Sequence, residues 1–164
     1  MSGTKINAAV VGASGYSGEE LVRLLLGHPH VNLSVLTSRQ YADQPLTSVF
    51  PRFAGYAGAS DLAFSEPSID HLADKAKAVF LALPHGVAAE FAVPLAERGV
   101  TVIDLSADFR LNSADIYNEF YGNEHPAPEW LAKAVYGLPE IRRDAIADAT
   151  LIASPGCYPT SILL

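Results

Sequence analysis

Two short stretches hold most of the chemistry this chain can do. Ser154-Pro155-Gly156-Cys157-Tyr158-Pro159-Thr160 contains the one cysteine, and Gly12-Ala13-Ser14-Gly15-Tyr16-Ser17-Gly18 carries three glycines spaced three apart. Pro159 suits the first turn of a helix, which puts Cys157 at a helix N-terminus. There the macrodipole favours the thiolate, the form that attacks electrophiles. A buried structural cysteine is the competing reading, because free cysteine is among the most buried residue types. In the glycine stretch, Gly12 allows a tight turn, Gly15 lets backbone approach a pyrophosphate, and Gly18 allows a helix to pack closely on a strand. The backbone N–H groups of the turn, with Ser14, Tyr16 and Ser17 beside them, form an anion cradle.

The residues after the next hydrophobic stretch bear on which dinucleotide fits. A site for NAD usually has an acidic residue about 20 positions on, to hold the ribose 2′-hydroxyl. Here the stretch ends in Thr37-Ser38-Arg39. A hydroxyl and a guanidinium at Ser38 and Arg39 suit a 2′-phosphate, so NADP(H) is the expected cofactor. An ordinary solvated arginine is the alternative. Arg110, in Ala107-Asp108-Phe109-Arg110, is a candidate for gripping a substrate anion, or else pairs with Asp108 or Asp104. Leu83, Pro84 and His85 are candidates for the nicotinamide side of the cofactor, unless His85 is simply a satisfied turn residue.

These residues need elements to position them. Ile6–Gly12 reads as a buried strand, Gly18 onward as a helix ended by Gly27 and Pro29, and Val31–Thr37 as a second strand. That is a βαβ unit. Further on, Leu62–Ser65 reads as a short strand and Ser68–Lys77 as a helix. Ala78–Leu83 reads as a strand, Val87–Arg98 as a helix despite Pro94, and Val100–Leu105 as another strand. Ile141–Ala149 reads as a helix and Thr150–Ala153 as a last strand. Residues 38–60 and most of 112–139 read as loop. Continuous apolar strands alternating with helices imply an α/β fold, Rossmann-like and doubly wound, with a mostly parallel sheet and helices on both faces. In such sheets ligands gather beyond the carboxyl ends of the strands. The segments that follow the five main strand ends are the glycine turn, Ser38-Arg39, Pro84-His85-Gly86, Ser106–Arg110 and Ser154–Thr160.

A net charge of −7 with scattered basic residues argues against nucleic-acid binding. No apolar run is long enough to span a bilayer, and Met1–Asn7 has no leader architecture. One cysteine and no clustered ligands make a metal unexpected and point to a reducing, cytoplasmic setting. The chain ends on Ile162-Leu163-Leu164, which reads as a helix cut short and hence as a piece of a longer protein.

In order along the chain, GASGYSGEEL, ALPHG, DLSADFRL, VYGLPE and SPGCYPT resemble N-acetyl-gamma-glutamyl-phosphate reductase of arginine biosynthesis. The resemblance covers essentially all 164 residues, with Ser161 at a position where that family more often has Gly or Ala. It implies NADPH-dependent reduction of an acyl phosphate to an aldehyde, with Cys157 as nucleophile. It also implies a small-molecule acyl phosphate substrate, a homo-oligomer at full length, and an acid–base histidine beyond Leu164. On this resemblance 1–154 is the cofactor domain and 155–164 opens a catalytic, dimerising one. The chain alone is then expected to bind cofactor without turnover. Aspartate-semialdehyde dehydrogenase, with the same cysteine chemistry, and a non-catalytic NADP-binding module are the rival readings.

Overall fold

The computed structural model describes residues 4–164, so Met1–Gly3 of the leader reading lie outside it. The chain forms two compact units, the first running to Ala82 and the second from Leu83 to Leu164. The elements are parallel α/β in both, as the apolar strands predict.

In the first unit β1 (Ile6–Val11) pairs in parallel with β2 (Val31–Thr37) on one side and with β4 (Ala78–Leu81) on the other. The short β3 (Phe64–Ser65) extends the sheet beside β2. Ala8–Val11 are all buried, because a central parallel strand is covered on both faces. Helix α1 (Tyr16–Leu26) turns Val22 and Leu25 inward. Ser68 caps α3 (Ile69–Lys75) by accepting the His71 N–H, as the helix-start residue there predicts.

Residues 38–60, expected to be loop, hold more structure than that. Helix α2 (Leu46–Val49) and 3-10 turns at Pro51–Phe53 and Ala59–Asp61 fold this stretch into a lobe. Leu46, Phe53 and Ala59 are buried there with Phe64. Phe50 meets Phe53 and Phe64 edge-on at 6.1 Å, and Phe53 meets Tyr56 at 5.8 Å. The lobe is built by aromatic burial, which has no 3.6- or 2-residue period to read.

In the second unit β7 (Leu151–Ala153) lies between β5 (Thr101–Asp104) and β6 (Val135–Tyr136), all parallel. Helix α4 (Ala89–Glu97) keeps Pro94 within it and buries Phe91 and Leu95. The expected loop over 112–139 is corrected to α5 (Ala114–Tyr121), α6 (Pro128–Leu131) and β6. Ser113 caps α5 on the Ile116 N–H, and Gly122 closes it with φ +72°. Helix α7 (Pro139–Ala147) starts two residues before the expected position and kinks at Arg142. Helix α8 (Cys157–Leu163) follows β7. Among the described residues no helix is long and apolar enough to cross a membrane.

Gly18 shows how tightly α1 sits on β1. A Cβ on it would overlap the Gly12 carbonyl oxygen and lie 2.8 Å from Ala13 Cα, both rigid backbone. Gly18→Ala should therefore cost about 3 kcal/mol or more, read as a lower urea midpoint at unchanged slope.

Candidate functional site

In the first unit the loops after β1 and β2 are stitched together. Gly12, with φ +79°, reverses the chain into the turn. The Ala13 N–H donates to the Thr37 carbonyl at 3.0 Å, and the Gly12 N–H to Thr37 Oγ1 at 3.4 Å. The Ser14 and Ser38 hydroxyls are 2.8 Å apart, and Ser38 Oγ also accepts the Tyr41 N–H. Ser38 is buried, while Ser14 is only partly so. Whichever hydroxyl donates across the pair, one O–H proton remains for another acceptor.

Gly15 is the N-cap of α1 and no side chain caps that end. The first N–H groups of an α-helix have no partner within it. Those of Tyr16, Ser17 and Gly18 thus have no partner within the helix, and the Tyr16 ring is almost fully exposed. An uncapped helix start with a close-approach glycine fits a pyrophosphate. Arg39 is exposed next to Ser38, and among the described residues no carboxylate pairs with it.

The second unit repeats the arrangement with different chemistry, at the ends of β5 and β7. Arg110 donates from Nε to the Ser154 carbonyl at 2.8 Å and from Nη2 to the Leu105 carbonyl at 2.9 Å. These carbonyls hold it; the alternative of an ion pair with Asp104 or Asp108 is not what fixes the side chain. Its Nη1 lies against Gly156, where a Cβ would come within 3.1 Å. Gly156 thus leaves room for the guanidinium and serves as N-cap to α8, whose first residue is Cys157. Cys157 is exposed in this chain.

Leu83 is half-buried and Pro84 and His85 are exposed on the loop after β4. His85 Nδ1 lies 2.8 Å from Asp108 Oδ1, and its Nε2 3.3 Å from the Tyr117 hydroxyl. The consistent tautomer has Nδ1–H donating to the carboxylate and Nε2 accepting from Tyr117. Both nitrogens are thereby engaged, and what His85 offers a ligand is its ring; one face stacks on Tyr121 at 4.5 Å. Burial pushes the Tyr117 hydroxyl pKa up, with the Asp108 charge adding to it.

Asp108 was not singled out as an organiser of this loop. Its buried carboxylate accepts the Gly86 N–H at 2.7 Å and the Ala89 N–H at 3.2 Å besides His85. Its own N–H donates to Ser106 Oγ, which in turn donates to Asp104. The only sequence signal was an acidic residue among small polar ones after a strand. His125 is buried between Phe109 and Tyr117, accepts the Ala127 N–H on Nδ1, and has its pKa lowered by burial.

Asp104 is fully buried at the end of β5, and burial pushes its pKa up to about 6. The Ser106 N–H and hydroxyl oppose that shift without cancelling it. A carboxyl raised from 3.8 stabilises the fold fully below that value, and the contribution is lost as pH rises through about 6. Between pH 4 and 7 the loss should be about 2 kcal/mol. Urea unfolding at both values should show Asp104→Asn abolishing most of this difference.

Comparison with known proteins gives a consistent picture. Residues 7–149 match the family model described as semialdehyde dehydrogenase, NAD binding domain. An N-acetyl-gamma-glutamyl-phosphate reductase of Akkermansia muciniphila is 59% identical over 161 residues, 98% of this chain and 46% of that protein. A [LysW]-L-2-aminoadipate/[LysW]-L-glutamate phosphate reductase of Saccharolobus solfataricus is 50% identical over 160 residues, covering 98% and 45%. The chain thus spans less than half the length of these curated relatives. Among solved structures, aspartate semialdehyde dehydrogenase II of Vibrio cholerae aligns at TM-score 0.67 with 20% identity, over 98% of this chain and 44% of that one, a likeness of fold alone. The glycine turn, the strand-end loops and the family match agree, and the chain belongs to the semialdehyde dehydrogenase NAD-binding domain family.

Proposed function

We propose that this chain is the cofactor-binding part of an NADPH-dependent reductase that converts N-acetyl-gamma-glutamyl phosphate to N-acetylglutamate 5-semialdehyde. The observation that carries the reading is Cys157, exposed at the first position of α8 on a loop that Arg110 ties to the end of β5. The 59% identical relative supports the substrate. The relative named for [LysW]-linked aminoadipate and glutamate phosphates supports a second substrate of the same acyl-phosphate chemistry. Aspartyl phosphate has only fold-level support.

In this mechanism the Cys157 thiolate adds to the acyl carbon, the bond to the phosphate oxygen breaks, and inorganic phosphate leaves with the bonding electrons. Cys157 then carries the acyl group as a thioester. NADPH held at the glycine turn would supply the hydride for the thioester carbonyl carbon. The resulting hemithioacetal oxyanion collapses: its oxygen electrons form the aldehyde C=O as the C–S bond breaks, and sulfur leaves as the thiolate. Arg110 steadies the Cys157 loop with two of its five N–H groups, leaving three to meet the substrate anion. His85 and His125 are engaged or buried, so neither serves as the mobile proton carrier. On the resemblance we assign that role to a histidine beyond Leu164, so that this chain by itself binds cofactor without turnover.

For the cofactor, Gly12, Gly15 and Gly18 with the N–H groups of Ser14, Tyr16 and Ser17 take the pyrophosphate. Ser38 and Arg39 read the 2′-phosphate, and Leu83, Pro84 and His85 wall the nicotinamide. We place the boundary of the cofactor domain near residue 154, with 155–164 opening the catalytic domain of a cytoplasmic homo-oligomer.

Arg39→Ala should weaken NADPH binding to the purified chain by about 10- to 100-fold while changing NADH binding little. Equal losses for both dinucleotides would remove the 2′-phosphate role. In the full-length enzyme, Cys157→Ser should lower kcat by about 10⁴-fold or more with NADPH affinity retained. Near-normal turnover of N-acetyl-gamma-glutamyl phosphate by that variant would refute the thioester route.

A further inference from the structure

The second unit holds a groove of about 450 Å³ beside Arg110, bounded by Leu111, Leu131, Val135, Tyr136 and Arg142 among others. That volume suits a small ligand. Arg110 and Arg142 are the charged residues on its wall, and no carboxylate lines it. In a chain of net charge −7, a lining with two guanidiniums and no acid is selective for anions. The remaining wall is largely aliphatic, which suits a short methylene chain better than a bare inorganic ion.

Arg110 fixes one end of the argument. Its Nη1 rests against Gly156, the residue before Cys157, so Arg110 links the groove to the nucleophile's loop. Arg142 also lines the groove, from a different element, α7. The backbone leaves helical geometry at Arg142 itself, with φ −132° and ψ 24°. The residue is exposed, and among the described residues no carboxylate pairs with it. A guanidinium in that condition has its full fork available for a bidentate carboxylate.

We propose that Arg142 is the specificity-determining residue for a second anionic group on the substrate, the α-carboxylate of an N-acylated acidic amino acid. This rests on the acyl-phosphate reading above and deepens it. The ligand class is a short aliphatic chain with an anion at each end, the reacting end toward Arg110 and the carboxylate toward Arg142. An acyl phosphate without the far carboxylate fills the aliphatic part of the groove and leaves Arg142 unmatched.

The test uses the purified chain and two probes, N-acetyl-L-glutamate and its α-carboxamide, titrated by calorimetry and by amide chemical shifts. The acid should bind more tightly than the α-carboxamide, with shifts at Leu111, Leu131 and Ala145. Arg142→Gln should weaken the acid by at least about fivefold, leave the α-carboxamide unchanged, and so erase the preference. The neighbouring exposed Arg143→Gln should leave both affinities alone. Equal binding of the two probes, equal effects of the two variants, or no binding of the acid at millimolar concentration overturns the assignment. Reduction of N-acetyl-gamma-glutamyl phosphate by the full-length enzyme is a separate readout. If it proceeds while Arg142 fails these tests, the Cys157 chemistry stands and only the carboxylate reader falls; if it does not proceed, the reductase reading falls whatever the titrations give.

Discussion

Parallel strand pairing is the constraint on which the functional parts of this molecule depend. When two neighbouring strands run the same way, the loops leaving their carboxyl ends emerge side by side, however far apart they lie in sequence. In the first unit this brings the glycine turn after β1 beside Ser38 after β2, close enough for the Ser14–Ser38 contact. In the second it brings Arg110 after β5 to the Ser154 carbonyl after β7, 44 residues away. In each unit a side chain then locks the two loops. The sheet supplies proximity, and these polar contacts convert it into fixed geometry.

Much of this was legible because strand and turn signals are local. The Val31–Thr37 strand has its expected limits, and Ser68 begins a helix. The packing role of Gly18 follows from its spacing between a strand and a helix, and its Cβ position is filled by the backbone of the turn as that spacing implies. The stretches read as loop failed for two different reasons. In 38–60 the structure rests on Phe50, Phe53 and Tyr56 meeting Phe64, contacts that no local pattern announces. In 112–139 the signals were present, since Ser113 and Gly122 are an N-cap and a left-handed stop at helical separation. Prolines and scattered aromatics around them outweighed that pair.

Asp108 illustrates a kind of residue that sequence reasoning cannot easily find. Nothing distinguishes it locally from a solvated aspartate in a polar loop. Its importance comes from what a different strand-end loop delivers to it: the His85 ring and the N–H groups of Gly86 and Ala89. A carboxylate has about four lone-pair sites, and these donors occupy three of them. Asp104 receives two donors, both from Ser106, and its burial raises its pKa despite them.

The anchoring of Arg110 by main-chain carbonyls has a wider electrical meaning. A carboxylate would have held the side chain equally well, but at the cost of cancelling most of its field. Carbonyl dipoles immobilise the guanidinium and leave it a net cation. The loop that bears the thiol is therefore a standing attractor in an otherwise acidic chain, able to orient an approaching anion before any contact is made. Its pull should fade with ionic strength over a Debye length, so encounter rate, more than bound-state affinity, is where salt would be felt.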